Sequence, residues 1–251
     1  MEKLGSFLFN IAFYLWTAIV VLFLCLPALL LPYPAIYAVG RLWVKGALLL
    51  LRRLTGLTHR VVGLENTRRG QAIYAAKHQS SWDTLIFALY LDKPAYVLKR
   101  ELLYIPFFGV CLMKAGHIPV DRTGRAAALK RLLAVAKARR AQRRDILIFP
   151  EGTRVLPGQH KPYQPGVAAL YGALDLPVVP VALNSGLFWS RRSFTKKPGV
   201  ITLEFLPPIP PGLNRRAFMA ELEKRLESAS TRLERDELIL SRRGFPTRDV
   251  F

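Results

Sequence analysis

The chain has 251 residues, 51% of them hydrophobic, and carries 37 lysines and arginines against 17 acidic residues, a formal net charge of +20. That length holds one α/β domain with an accessory segment, and such a positive excess in a half-apolar chain calls for an anionic partner, nucleic acid or lipid headgroup. With only two cysteines and four histidines, scattered along the chain, neither a disulfide framework nor a Cys/His metal site is expected.

The amino-terminal segment decides between the two partners. From Leu4 to Gly40 no residue is charged, and Leu4–Leu26 alone exceeds the roughly 20 apolar residues that cross a bilayer as a helix. A cleaved signal peptide has an apolar run of only about 7–15 residues. Pro27, Pro32 and Pro34 interrupt the run, and a second one, Leu42–Leu51, holds Lys45 and closes on Arg52-Arg53; it reads as too short and too charged to span. Lys3 before the first run, with Arg41, Lys45, Arg52 and Arg53 after it, puts positive charge on both sides. This fits a helical hairpin that enters and leaves by one face, its prolines at the turn; a single span is the other topology. Either leaves residues 1–58 as a membrane-embedded helical segment of the inner (cytoplasmic) membrane. Residues 59–251 then form a domain facing the cytoplasm. The basic residues come as scattered pairs such as Arg139-Arg140 and Arg191-Arg192, with no helix-turn-helix, zinc-finger or ribonucleoprotein pattern. Membrane lipid, and not nucleic acid, is the expected partner.

Beyond Arg60 the apolar runs shorten to strand length and alternate with helical patterns, an α/β signature. Strands are expected near Ile73–Ala76, Ala95–Leu98, Ile118–Val120, Ile146–Phe149, Val178–Leu183 and Val200–Phe205. Trp82–Leu91 reads as a helix capped by Ser80 or Ser81, whose free backbone amides would lie beside His78 and serve an oxyanion. Leu102–Ile105, Phe107 and Phe108 fit either an apolar groove, lipid contact or core. Between Arg122 and Arg144 every charge is basic while Leu129, Leu132, Leu133 and Ala136 recur at helical spacing, an amphipathic helix with a cationic face. Pro207–Pro211 reads as a stiff connector, and Leu222, Leu226, Ala229 and Leu233 mark a terminal packing helix.

Two short blocks carry the chemistry. His78-Gln79-Ser80-Ser81-Trp82-Asp83 sets an imidazole five positions before a carboxylate, close enough for Asp83 to hold the ring while its other nitrogen takes a hydroxyl proton. After the strand-like Ile146–Phe149, Pro150-Glu151-Gly152-Thr153-Arg154 places a small residue, a hydroxyl and a guanidinium at a strand's carboxyl end, a setting suited to phosphate. His59, His117 and His160 have no carboxylate at comparable spacing and read as structural. No Gly-x-Ser-x-Gly elbow surrounds Ser80 or Ser81. Cys25 and Cys111 read as small buried hydrophobes without a disulfide between them.

These blocks resemble those of the glycerolipid acyltransferase family that includes bacterial 1-acyl-sn-glycerol-3-phosphate acyltransferases, which carry His-x-x-x-x-Asp and Phe-Pro-Glu-Gly-Thr-Arg in this order. Gly116–Arg122 and Leu176–Ala182 are similar to two further family blocks between and after them. Lys77 stands where asparagine is frequent, Val155 where serine is frequent, and Pro119-Val120 replace an aromatic-aliphatic pair. The resemblance implies a helix-flanked α/β sheet and transfer of a fatty acyl group from acyl-CoA or acyl carrier protein to lysophosphatidic acid, without cofactor or metal. It implies His78 and Asp83 as the catalytic pair and Arg122, Glu151, Gly152, Thr153 and Arg154 as substrate-binding, with Glu151 ordering its loop or touching glycerol. Acylation of another lysolipid, such as a lyso-ornithine lipid, is the second reading, and a non-enzymatic basic membrane-binding protein the third.

Overall fold

The computed structural model of the chain describes residues 2–67, 70–121 and 125–242. Along them run α1 (Glu2–Val20), a π-helical turn (Val21–Cys25), α2 (Leu26–Ala28), α3 (Tyr33–Thr55), β1 (Leu57–Val62), β2 (Ile73–Ala76), α4 (Asp83–Tyr90), β3 (Ala95–Lys99), α5 (Phe108–Lys114), β4 (Ile118–Val120), α6 (Arg125–Ala141), β5 (Ile146–Ile148), α7 (Pro165–Leu174), β6 (Val178–Leu183), β7 (Gly199–Phe205) and α8 (Arg215–Arg242). The seven strands make one sheet in the order β1-β7-β6-β2-β5-β3-β4. Strands β2 to β6 are parallel, and β7 turns against β6 with β1 parallel to it at the edge. The fold is the expected α/β sheet flanked by helices.

Side-chain alternation divides the core into two layers. Ile73 and Ala75 of β2, with Ile146, Ile148 and Val178, pack under α6, α7 and α8 through Leu132, Leu170, Leu174, Phe218, Leu222 and Leu226. Tyr74 and Ala76, with Leu147, Val179 and Val181, face Trp82, Ile86 and Phe87 and, from the amino-terminal helices, Phe9 and Leu51. Burial on both faces explains why β6 reads as an unbroken apolar run.

The amino-terminal segment is a hairpin. Its first arm is one apolar helix from Glu2 to Ala28. Pro27 does not end it: the ring would crowd the carbonyl four residues earlier, and the π-helical turn Val21–Cys25 falls there and absorbs the misfit. The second arm is longer than the sequence reading allowed. Pro34 lies in the first turn of α3, where a missing N–H costs nothing, so it opens a helix of 23 residues instead of lying in the turn. The arms lock through Trp16 Nε1 donating to the Trp43 carbonyl (2.9 Å) and Trp43 Nε1 donating to Thr17 Oγ1 (3.0 Å). At the open end the Leu54 carbonyl leaves no room for a Cβ on Gly5, so both arms finish together. Each arm is long and apolar enough to cross a membrane, and Leu4, Phe7, Leu15, Phe23 and Leu30 stay exposed. Association with a membrane is the simplest account of such a face.

Three further readings are amended. Strand β1 was not anticipated; it follows the helix-ending Gly56 (φ +69°) with only Leu57 of its six residues fully buried, so no apolar pattern stands out. The Pro207–Pro211 connector is pinned to the sheet, since Ile209 is fully buried and exchanges backbone hydrogen bonds with Val178. Leu102, Tyr104, Ile105 and Phe107 are exposed and Phe108 packs edge-on against Trp43, so this stretch is surface beside the hairpin and not core.

Candidate active site

Both chemical blocks lie at the carboxyl ends of the neighbouring strands β2 and β5. From β2 the chain passes through α4 to β3 on one side, and from β5 through α7 to β6 on the other. The two connections cover opposite faces of the sheet, α4 in one core layer and α7 in the other, and the carboxyl ends of the strands between them are the usual ligand position in an α/β sheet.

After β2, His78 Nδ1 lies 3.0 Å from Asp83 Oδ2. A carboxylate oxygen only accepts, so Nδ1 carries the proton and Nε2 keeps its lone pair. Phe149 stacks on the imidazole with ring centroids 4.2 Å apart. Asp83 is wholly buried and fully occupied: Oδ2 also accepts the backbone N–H groups of Gln79 (2.7 Å) and Ser80 (2.8 Å), and Oδ1 accepts Ser185 Oγ (2.5 Å). The expected cap is found at Ser80: its Oγ accepts the Trp82 N–H, and Asp83 Oδ2 reaches back to the Ser80 N–H, a capping box around the already helical Trp82. The boundary amides of Gln79 and Ser80 are taken by Asp83 and are not free for an oxyanion.

After β5 the second block folds against the first. Glu151 Oε2 accepts the His78 N–H (3.1 Å), and the Val155 N–H donates to the His78 carbonyl (2.8 Å). Glu151 is wholly buried, so of its two expected roles the geometry displays the ordering of the loop. Gly152 has φ +68°, the left-handed region that favours glycine, where the chain turns back with its N–H on the Phe149 carbonyl. Thr153 and Arg154 are half-buried. The Arg154 guanidinium donates to no acceptor among the described residues; Asp83 attracts it, while burial and the charge of Arg191 lower its pKa. Arg122 lies outside the described residues.

Beneath both loops sits an ionic cluster with no counterpart in the sequence reading. Lys77 Nζ lies 3.0 Å from Glu151 Oε1 and 2.6 Å from Glu227 Oε1 of α8, and Tyr163 Oη donates to the same Glu227 oxygen (2.7 Å). One ammonium between two carboxylates leaves an excess negative charge. Burial pushes the Glu151 carboxyl up to about 7, against the pull of Lys77. A second bridge runs from Gln79 Nε2 to Glu234 Oε1 (2.5 Å), and Glu234 Oε2 accepts the Gly158 N–H (3.0 Å). The only sequence signal for any of this was Lys77 itself, standing where the resembled family often has asparagine.

The other histidines are structural in setting. Burial lowers the pKa of His59, which meets Tyr90 Oη at 3.0 Å, and takes that of His117 down to about 3, with Arg144 and Arg139 adding to the effect. His160 does have a carboxylate, Glu223 of α8 at 2.6 Å, hidden from a search by spacing because it is far along the chain. Cys25 and Cys111 are free and buried in one apolar cluster.

Parallel strands whose carboxyl ends bring a His–Asp pair beside an arginine-bearing loop make a site suited to proton transfer on an anionic substrate. Residues 58–184 match the family model named Acyltransferase, and the chain belongs to that family. It is 36% identical over 200 residues to a 1-acyl-sn-glycerol-3-phosphate acyltransferase of Pseudomonas aeruginosa, covering 79% of this chain and 78% of that protein. It is 32% identical over 187 residues to a protein of the same name from Limnanthes douglasii, covering 72% and 65%. Escherichia coli (strain K12) has another, 31% identical over 141 residues and covering 56% and 57%. The fold is similar to the crystal structure of the 1-acyl-sn-glycerophosphate (LPA) acyltransferase from Thermotoga maritima, with a TM-score of 0.75 over 93% of this chain and 99% of that one at 19% identity.

Proposed function

We propose that the protein transfers a fatty acyl group from an acyl thioester to the sn-2 hydroxyl of 1-acyl-sn-glycerol-3-phosphate, giving phosphatidic acid. The relatives' names support the reaction, and the observation that carries the mechanism is the 3.0 Å contact of His78 Nδ1 with Asp83 Oδ2. His78 Nε2 takes the hydroxyl proton as the oxygen attacks the thioester carbonyl. Asp83 fixes the ring and stabilises the imidazolium that forms. The tetrahedral intermediate collapses with cleavage of the C–S bond, and the imidazolium returns its proton to the departing thiolate. No covalent acyl-enzyme and no cofactor are required.

Arg154 and Arg122 grip the acceptor phosphate, so that binding holds the hydroxyl at His78 and the bimolecular step becomes one of orientation. Gly152 and Thr153 shape the same loop, and Glu151 holds it to His78. The donor is acyl-CoA or acyl carrier protein, both anionic and suited to a basic surface. The helical hairpin, residues 2–55, rests its exposed apolar face in the inner membrane, and the acyltransferase domain, which takes in all of β1 from Leu57, faces the cytoplasm.

The test is acyl transfer by detergent-purified full-length protein, offering lysophosphatidic acid beside lyso-ornithine lipid with each thioester donor. Wild type is expected to acylate lysophosphatidic acid. His78→Ala should lower kcat by about 10²–10⁴-fold, the usual range for a general base, and Arg154→Ala should raise the acceptor KM. Preference for lyso-ornithine lipid would replace the acceptor, and full activity of His78→Ala would end the mechanism.

A further inference from the structure

A second cation, Arg191, stands at the loop that carries Arg154. Arg191 Nη1 donates to the backbone carbonyl of Arg154 at 3.2 Å, which holds the Arg191 guanidinium against the loop that carries Arg154. Each is positive, and the charge of Arg191 disfavours that of Arg154. The carboxylate that acts on Arg154 is Asp83, whose oxygens are already taken by His78, two backbone amides and Ser185. The Arg191 guanidinium thus lies against the Arg154 backbone, near enough for its charge to act on the Arg154 side chain, while the nearby anion is committed elsewhere. Such an arrangement costs free energy until a ligand anion enters.

The segment bearing Arg191 is fixed at both ends. At its start Ser185 Oγ binds Asp83, and the Gly186 N–H donates to Gln79 Oε1 at 3.0 Å. Gly186 is pressed so closely on Pro157 and Gln79 that a Cβ there would stand 2.8 Å from Pro157. At its end Lys196 is only 3% exposed: its N–H donates to Ser6 Oγ of α1 (2.9 Å), and its ammonium reaches Asn10 Oδ1 (2.5 Å) among the rings of Phe9, Trp189 and Phe194, 4.9 to 5.6 Å away. A strap held in this way presents Arg191 with part of its ordering entropy already lost, which favours ligand binding.

Resting on the reaction proposed above, we infer that Arg191 is a second anion-gripping residue, forming with Arg154 a two-guanidinium clamp for a phosphate group of the substrates. A planar guanidinium pair suits phosphate oxygens bidentately. That phosphate belongs either to the phosphomonoester of the lysolipid acceptor or to the carrier portion of the thioester donor, and kinetics separate the two.

Full-length Arg191→Gln and Arg191→Lys proteins are assayed with lysophosphatidic acid and acyl-CoA each varied in turn. Arg191→Gln should raise one KM on the order of tenfold with kcat within about twofold, the size of one charge-assisted hydrogen bond, and Arg191→Lys should recover part. A rise confined to the acceptor places the monoester in the clamp. A rise confined to acyl-CoA, and absent with an acyl-pantetheine donor lacking phosphate, places the donor there. Inorganic phosphate should raise the Tm of wild type and do so less for Arg191→Gln. If neither KM nor the phosphate shift changes while Arg154→Gln raises the acceptor KM, the clamp is overturned and the proposed reaction stands. If Arg154→Gln and His78→Ala both match wild type, the reaction reading itself fails and takes the clamp with it.

Discussion

The loop after β2 and the loop after β5 lie side by side, yet they are finished to different degrees. Around His78 nearly everything is closed: four donors surround the Asp83 carboxylate, and the backbone of His78 is tied to Glu151 and Val155. Around Arg154 the charges are left open: its guanidinium donates to no acceptor among the described residues, and the charge of Arg191, bonded to the Arg154 carbonyl, opposes its own. A base must hold one tautomer and one orientation before substrate arrives, and a buried carboxylate does this only when its oxygens are satisfied. A binding cation gains most by keeping its hydrogen-bonding capacity for the ligand. The difference teaches which parts of the site are built by the protein alone and which are completed by substrate.

The closed side should be the fragile one. Lys77→Met leaves Glu151 and Glu227 without their ammonium, and breaking a buried ion pair in this way costs about 3–5 kcal/mol. The loss should depend on pH. Burial raises the Glu151 carboxyl from 4.5 in the unfolded chain to about 7 in the fold. Its contribution is therefore whole below the unfolded value and lost as pH rises through about 7. Without Lys77 the folded value climbs further, so the Tm deficit of Lys77→Met should be larger at pH 8 than at pH 5.5. An equal deficit at both would show that the cluster does not act through this carboxyl.

Ser185→Ala probes the same side more gently. It strips Asp83 Oδ1 of its donor, a loss of about 1–3 kcal/mol for a buried unsatisfied acceptor. The expected kinetic result is a kcat roughly tenfold lower with little change in acceptor KM, because one pKa-unit-sized loss of differential interaction is about a factor of ten. A change in KM alone would mean that the serine belongs to the binding side, and the contrast between the loops would dissolve.

The smallest effect distinguishes the sides without mutation. Raising sodium chloride from 0.05 to 0.5 M shortens the Debye length from about 14 to about 4 Å and screens exposed charges far more than buried pairs. The KM for the phosphate-bearing substrate should rise a few-fold while kcat moves by less than about twofold. A kcat that falls as steeply as KM rises would place the His78–Asp83 pair in contact with solvent.

Much of the site was legible because its chemistry is local. His78 and Asp83 are one turn of chain apart, and the hydrogen-bonding reach of an imidazole limits what that spacing can do. The strands were legible for a related reason: parallel strands buried on both faces must be apolar throughout, so Ile73–Ala76 and Val178–Leu183 stand out with their observed ends. The edge strand β1 did not, since only Leu57 at its start is fully buried. Nor did the full length of α3, because a proline tolerated in a first turn looks in sequence like a proline that breaks a helix.

By itself the sequence determined the α/β class, the apolar amino-terminal segment, the His–Asp pair and the arginine-bearing loop, all properties set by residues within a few positions of one another. Only the tertiary structure decided which partners finish them. Ser185 reaches Asp83 from 102 positions away, Glu227 reaches Lys77 from 150, and Ser6 of α1 meets Lys196 across 190. Such contacts leave no periodicity or spacing, because they are produced by the order in which strands are laid into the sheet. The same strand order sets the Arg191 strap beside Arg154, and with it the open charge that a substrate phosphate would close.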